Sequence, residues 1–296
     1  MEVPQVAHSE AQLAVQVEPV ADFTESVIRP PTGWQLLNVR ELWHFRELLY
    51  FLVWRDVKVR YKQTLLGVAW SVLQPAMMMV VFTLFFGRVA GFKDETVAYP
   101  VFVLCGLLPW TFFSTALTAA GNSVIGSERL ITKVYFPRLT VPFAAVGSAL
   151  FDFLLAFGLL FVVMLFYWTP PAWTVLLTPF IVVLIALAAA GFGTLLAALN
   201  VAYRDVRYVI PFVVQLWIFA TPAVYMPVQS DQSDNWLQSL LALNPLNAQV
   251  AAFRAAVLGR EIDWAALAGS SVLVVLIFLA GCLYFRRVED TFADLI

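Results

Sequence analysis

Long charge-free stretches alternate with short, base-rich breaks along most of this chain. Between Lys62 and Arg88 run 25 residues without a charge, and between Glu95 and Glu128 run 32. The intervals Asp152–Arg204, Arg207–Asp231 and Asp263–Arg286 enclose 51, 23 and 22. A helix rises about 1.5 Å per residue and needs about 20 residues to cross a hydrocarbon layer, so the longest run holds two crossings. Their boundary falls at Tyr167-Trp168-Thr169-Pro170-Pro171-Ala172-Trp173, a paired-proline turn framed by aromatics suited to a membrane interface. The pattern predicts an all-α integral membrane protein with six transmembrane helices, near 64–87, 98–122, 141–166, 173–199, 208–225 and 265–285.

Ahead of the first span, Leu42, Phe45, Leu49 and Leu52 recur at spacings of three and four, and Arg55, Lys58, Arg60 and Lys62 follow. Asp56 stands four residues before Arg60, a spacing that supports a helix. Residues 38–63 therefore read as an amphipathic helix lying in the membrane interface. Its Arg46, Trp54, Arg55, Lys58 and Arg60 suit either headgroup anchoring or docking of a cytoplasmic partner. Residues 1–37 are acidic, with Glu2, Glu10, Glu18, Asp22 and Glu25 ahead of Arg29, and have no apolar core of a secretory signal. They read as a disordered cytoplasmic tail or a partner-binding arm.

Composition narrows the class. Of 296 residues 61% are hydrophobic and 13% charged, with a mean hydropathy of +0.81. A soluble domain carries about a quarter charged residues, so a soluble enzyme, a disordered protein and a nucleic-acid binder are excluded. The net charge of −2 adds little. Its placement adds more, because 14 of the 18 basic residues fall before span one, after spans two and four, and after span six. The other loops hold Arg88, Lys93, Arg254 and Arg260. Basic loops stay inside, which predicts that both termini are cytoplasmic. Trp110, Trp168, Trp173, Tyr203 and Tyr208 fit the aromatic belts at the two interfaces. Cys105 and Cys282 fall at opposite depths, too far apart for a disulfide.

No motor is legible. The four lysines are followed by Val59, Gln63, Asp94 and Val134, so no phosphate-cradling Gly-Lys-Ser/Thr loop exists. His8 and His44 are the only histidines and make no metal-spaced cluster. Asp152 is the one acid within a span, a costly position that either contacts substrate or a gate, or fixes helix packing through hydrogen bonds. Aromatics away from the belts, namely Phe82, Phe85, Phe86, Phe112, Phe113, Trp217 and Phe219, are candidates to line a path through the bundle. Trp217 in particular has an indole N–H to satisfy, favouring an interior or dimer-facing position.

Four ordered segments resemble one family. Arg60-Tyr61-Lys62-Gln63-Thr64-Leu65-Leu66-Gly67-Val68-Ala69-Trp70 through Leu73-Gln74-Pro75 is similar to the start of span one in type 2 ABC exporter permeases. These are the transmembrane subunits that export lipid-linked polysaccharides such as O-antigen, capsular polysaccharide and teichoic acid. Lys133-Val134-Tyr135-Phe136-Pro137-Arg138, Asn200-Val201-Ala202-Tyr203-Arg204-Asp205-Val206 and Asn244-Pro245-Leu246 match that family's later loops in order. The resemblance covers about residues 38–290 and implies a membrane domain over 64–290 in a bacterial inner membrane.

It further implies a homodimer working with two copies of a separate ABC ATPase that binds ATP and magnesium, so that this chain itself holds no cofactor or metal and catalyses no reaction. It implies a coupling loop at 126–139, whose Ser127, Glu128, Arg129, Leu130, Lys133, Tyr135, Phe136, Pro137 and Arg138 would seat in the ATPase. The physics agrees: a polar start, a proline stop, and Tyr135 with Phe136 as an apolar knob. Within the outer loop 226–264 the semi-apolar stretch 246–258 is too polar and too short to span, which points to re-entrant or periplasmic helices between spans five and six. By resemblance these cap an outer gate, with Tyr225, Asn244, Pro245 and Arg254 as gate residues. Arg254 suits an anionic substrate or a structural contact. The resemblance also sets the path between spans one and five. An exporter of small hydrophobic drugs or lipids, or a non-transporting membrane scaffold, would share much of this pattern.

Overall fold

The computed structural model describes residues 39–62, 64, 66–89, 97–223 and 244–292, and the regular structure among them is entirely helical. The acidic tail, Lys93, Tyr225 and the outer loop up to residue 243 lie outside the described residues. Helices α1 (Val39–His44) and α2 (Arg46–Tyr61) replace the single interfacial helix expected, the chain breaking at Phe45. A turn with Gly67 at φ +51° leads into α3 (Ala69–Phe82), which ends in a π-helical turn, Thr83–Val89. The long helix α4 (Tyr99–Gly126) is followed by the four-residue α5 (Glu128–Ile131) and by α6 (Thr140–Phe166). A 3₁₀ turn, Trp173–Leu177, runs into α7 (Thr178–Ala202), and α8 (Val206–Trp217), α9 (Pro245–Leu258) and α10 (Trp264–Val288) complete the bundle.

Among the described residues, five helical segments are long and apolar enough to cross a membrane: Ala69–Gly87, Tyr99–Gly126, Thr140–Phe166, Trp173–Ala202 and Trp264–Val288. The fifth expected span, near 208–225, is represented by the shorter apolar α8, after which turns carry the chain to Ala223. Pro222 lacks the N–H that a continuing helix requires there. The break between α6 and α7 falls where the sequence puts it. Trp168 adopts φ +56°, and Ala172 N–H donates to Val257 O of α9 at 3.2 Å.

α4 is the hub. It packs against α6, α7, α3 and α9, and 78% of its most apolar stretch is buried, against 6% for α3. Leu104, Leu108, Phe113, Leu117 and Ala120 put their side chains out of contact with solvent along it. α7 and α10 approach most closely at paired glycines. A Cβ on Gly281 would sit 2.2 Å from Gly191 O, and one on Gly191 2.7 Å from Phe278 Cα. Small residues at a helix crossing let backbones approach and dispersion forces act at short range. Cys105 and Cys282 are both buried free thiols.

α9 begins on a full cap. Asn244 Oδ1 accepts from Leu246 N–H at 3.1 Å, Pro245 takes the first turn, and Gly259 closes the helix at φ +71°. The same Asn244 amide nitrogen lies 3.0 Å from Ala220 O and 2.9 Å from Thr221 Oγ1, which ties the end of α8 to α9. This is the physical content of the Asn244-Pro245-Leu246 motif.

Candidate functional site

The polar chemistry of the bundle concentrates in three places. The first is where α2 meets α6. Leu52 and Val57 bury α2 against the bundle, and its last turn reaches Asp152. Asp152 lies twelve residues into α6, about 18 Å along the helix axis. Arg60 Nη1 donates to Asp152 Oδ2, and the Tyr61 hydroxyl donates to Oδ1. The acid is therefore paired and hydrogen-bonded, as a carboxylate at this depth must be. Burial pushes the Tyr61 hydroxyl up to about 12, helped by the hydrogen bond and charge of Asp152, with Ser71 and Arg60 pulling the other way. The Asp56–Arg60 pair expected from helix spacing is absent. Asp56 instead takes two hydrogen bonds from Arg55, at 3.0 and 2.8 Å, because Arg60 is drawn to the more deeply placed acid.

Over this pair opens a cavity of about 420 Å³. Gly67, Trp70, Ser71 and Gln74 line it from the start of α3, Thr111, Phe112 and Thr115 from α4, and Ala149, Phe153 and Ala156 from α6. Each set follows one helix face. The small residues leave the space and the rings wall it.

The second place is a groove of about 510 Å³ between α4 and α8. Ser114, Thr115, Thr118 and Asn122 of α4 face it, with Pro211, Val214 and Gln215 of α8 opposite. With Thr111 these α4 residues form a hydroxyl and amide stripe at spacings of three, one, three and four. Thr115 lines both the cavity and the groove. The hydroxyls of Thr111, Ser114 and Thr118 donate to carbonyls one turn back at 3.0, 3.1 and 2.8 Å, leaving oxygen lone pairs to the cavity at Thr111 and to the groove at the other two. Asn200, in the Asn-Val-Ala-Tyr-Arg-Asp motif, is buried and donates to Gly121 O and Asn122 Oδ1, each at 3.0 Å. That clamps the end of α7 to the stripe. Sequence reasoning missed these residues. The visible signal was five hydrogen-bonding side chains on one face of a charge-free span.

The third place is the basic end. Phe136 is buried with Ile131, Leu139, Val201, Phe285 and Phe292, whereas Tyr135 is 67% exposed. The expected two-ring knob thus divides, Phe136 fastening the loop and Tyr135 projecting. Arg129, Lys133 and Val134 are exposed beside it, and Ser127, Glu128, Arg129 and Leu130 line a recess with Arg55 of α2. Pro137 O accepts from Thr140 Oγ1 at 2.7 Å. Arg286 donates to Glu41 Oε2 at 3.3 Å, joining α10 to α1. Burial raises the Glu289 carboxyl to about 7 against the pull of Arg286 and Arg138, a neighbourhood that the sequence did not reveal.

The remaining expectations scatter. Phe112 and Phe113 are buried; Phe113 meets Trp217 and Phe192 edge-on at 5.3 and 6.3 Å, in the core of the bundle. Phe82 and Phe86 stack on each other at 5.9 Å, and Phe85 and Phe219 are exposed. Trp110 is buried beside Phe113, not placed in a belt, while Trp168, Trp173, Tyr203 and Tyr208 are exposed. Of the interfacial helix residues, Arg46 lies over the Trp43 ring and Lys58 over the Trp54 ring. Arg254 turns inward. It lies 3.9 Å over the Phe102 ring and donates to Pro222 O and Ala223 O at 3.1 and 2.8 Å, so it fastens the chain after α8 to α4 and α9.

Residues 47–258 match the family model described as ABC-2 type transporter. The chain is 34% identical over 254 residues to the O-antigen export system permease protein RfbA of Myxococcus xanthus, covering 85% of this chain and 96% of that one. It is 24% identical over 254 residues to the RfbA permease of Klebsiella pneumoniae, covering 84% and 95%. It is 22% identical over 246 residues to the polysialic acid transport protein KpsM of Escherichia coli, covering 79% and 91%.

Proposed function

Starting from a chain that belongs to the ABC-2 type transporter family, we propose that it is the membrane-spanning permease subunit of an ATP-driven exporter of lipid-linked polysaccharide. Relatives named for O-antigen and polysialic acid export, aligned over nearly their full length, support this reading. The observation that carries it within the molecule is the part of the α4 stripe, Ser114, Thr115, Thr118 and Asn122, that faces Gln215 across an open groove. Hydroxyls and amides replace the hydrogen bonds that a sugar chain gives up on leaving water. The absence of a charge along that face keeps each contact weak enough to release. A small apolar cargo has no use for such a face.

In this reading the protein sits in the bacterial inner membrane as a homodimer with two ATPase copies, and both termini are cytoplasmic. The chain crosses six times, with α8 and the segment after it as the fifth crossing and α9 as an outer, re-entrant cap. ATP and magnesium bind to the partner, and closure of the ATPases is delivered to residues 127–138. Exposed Tyr135 makes the contact, and buried Phe136 passes the push to the ends of α7 and α10 that share its cluster. The two copies part between spans one and five and the polymer moves outward.

Gene deletion tests the assignment. The expected result is loss of surface polysaccharide with lipid-linked polymer accumulating in the cytoplasm, restored by the wild-type gene. Unchanged surface glycan would overturn it.

A further inference from the structure

The cavity above the Arg60–Asp152 pair has no part in the reading so far. Its volume of about 420 Å³ falls within the roughly 300–1,000 Å³ typical of small-ligand sites. We propose that this cavity is a glycan-reading subsite that holds one or two neutral sugar units of the transported polymer beside α3 and α6. The proposal rests on the export reading above and adds a site to it.

The chemistry of the walls selects the ligand. Arg60 and Asp152 neutralise each other at the floor, so the cavity offers no net charge to hold a phosphate or a carboxylate. Both partners keep hydrogen-bonding capacity. A carboxylate has about four lone-pair sites and Asp152 receives two donors, while a guanidinium carries five N–H groups. A paired acceptor and donor side by side match the adjacent hydroxyls of a sugar ring, and bonds to ionised groups are the stronger kind. Gln74 adds an amide that donates and accepts, and Ser71 and Thr111, whose hydroxyl protons go to Val68 O and Leu108 O, add acceptors. Trp70, 50% exposed on α3, presents an aromatic face against which the C–H side of a sugar packs. A lipid tail would waste these polar groups. A second helix would find no knob-shaped hole, since the space lies over an ion pair.

Place supports chemistry. Thr115 lines both this cavity and the polar groove, so a unit leaving the cavity meets the α4 stripe directly. α3, which supplies Trp70, Ser71 and Gln74, is the least packed crossing, with 6% of its apolar stretch buried.

The test uses the permease–ATPase complex in nanodiscs and two probes. One is lipid-linked oligosaccharide extracted from the producing cells; the other is the same extract after its glycan has been hydrolysed off. Gln74→Leu removes an exposed amide without touching the core, and Ala156→Leu fills the cavity. The expected result is that wild type binds the glycan-bearing lipid at least tenfold more tightly than the stripped lipid, and that each variant loses most of that difference. Equal binding of both probes by wild type, or unchanged discrimination in Gln74→Leu, would overturn the subsite. In parallel, wild type and Gln74→Leu are returned to the deletion strain. Failure of wild type to restore surface glycan sinks the export reading and the subsite with it. Restoration by wild type together with unchanged discrimination in Gln74→Leu sinks the subsite alone.

Discussion

Replacing Gly281 by alanine should loosen the seam between α7 and α10. The added Cβ would stand 2.2 Å from the backbone oxygen of Gly191, with Thr194 Oγ1 at 2.8 Å. Carbon and carbonyl oxygen approach no closer than about 3.3 Å even in favourable C–H···O contacts, so the helices must part by about 1 Å. A gap of that size forfeits between a quarter and a half of each dispersion well of about 0.1–0.2 kcal/mol. Applied to about 50 atom pairs, the contacts of a single buried leucine, the loss is about 1–5 kcal/mol and centres on about 3 kcal/mol. The better helix propensity of alanine returns about 1 kcal/mol. The net cost then centres on about 2 kcal/mol, a fall in Tm of about 3–4 °C for a chain of this size. Gly269 on the same helix is the control, since a Cβ there meets nothing within 4 Å and only the propensity gain applies. Thermal unfolding in nanodiscs, followed by tryptophan fluorescence, compares the two. If Gly281→Ala melts with Gly269→Ala, close backbone contact does not hold α7 to α10.

Tyr135→Ala should leave Tm unchanged but abolish co-purification with the ATPase, whereas Phe136→Ala should cost about 3 kcal/mol of stability by opening a cavity in its cluster. Equal effects in both assays would remove the division of labour between the two rings. Asp152→Asn should keep an acceptor for Tyr61 yet cost about 1–2 kcal/mol, because its charge partner Arg60 is 35% exposed and partly screened by solvent. A double-mutant cycle with Arg60→Gln reads the coupling, and strict additivity would contradict the pair. Glu289 has its carboxyl raised from 4.5 to about 7, so the folded state binds the proton more tightly. Stability is full below pH 4.5 and falls as pH rises towards 7, by on the order of 3 kcal/mol at most, then stays level. Glu289→Gln should flatten that slope in a melting series from pH 4.5 to 8, and an unchanged slope would place its cause elsewhere.

Charge-free intervals made α4, α6, α7 and α10 readable, and Pro170-Pro171 marked the break between two of them, because lipid tolerates little else. The length of α8 was less legible: hydropathy continued past Trp217, but Pro222 and the carbonyls held by Arg254 ended the regular helix. Asp152 stood out as an isolated acid, yet its partner lies 92 positions away, and helix spacing offered Asp56 to Arg60 as the nearer match. Local rules rank neighbours along a chain. A deep carboxylate outranks them because leaving it unpaired costs several kcal/mol. The stripe on α4 was overlooked because serine and threonine read as neutral in an apolar helix, while phenylalanine drew attention as channel lining. Burial sorted Phe113 and Trp110 into the core, which only the packing of α7 and α8 could decide.

The burial of α4 also sets an order of assembly during synthesis. Its apolar stretch has a mean hydropathy of 1.7, against 2.6 for the α6 and α7 crossings that cover it. Both are made later, so this helix is complete before α6 and α7 cover it, with only α3 of its packing partners made ahead of it. Until Asn200 arrives, the amide of Asn122 has no clasp from α7. A chain stopped between α6 and residue 200 therefore holds this helix against α3 and α6 alone, with its Asn122 end still unclasped. The clasp that closes the centre of this protein is available only after about two-thirds of the chain has been made.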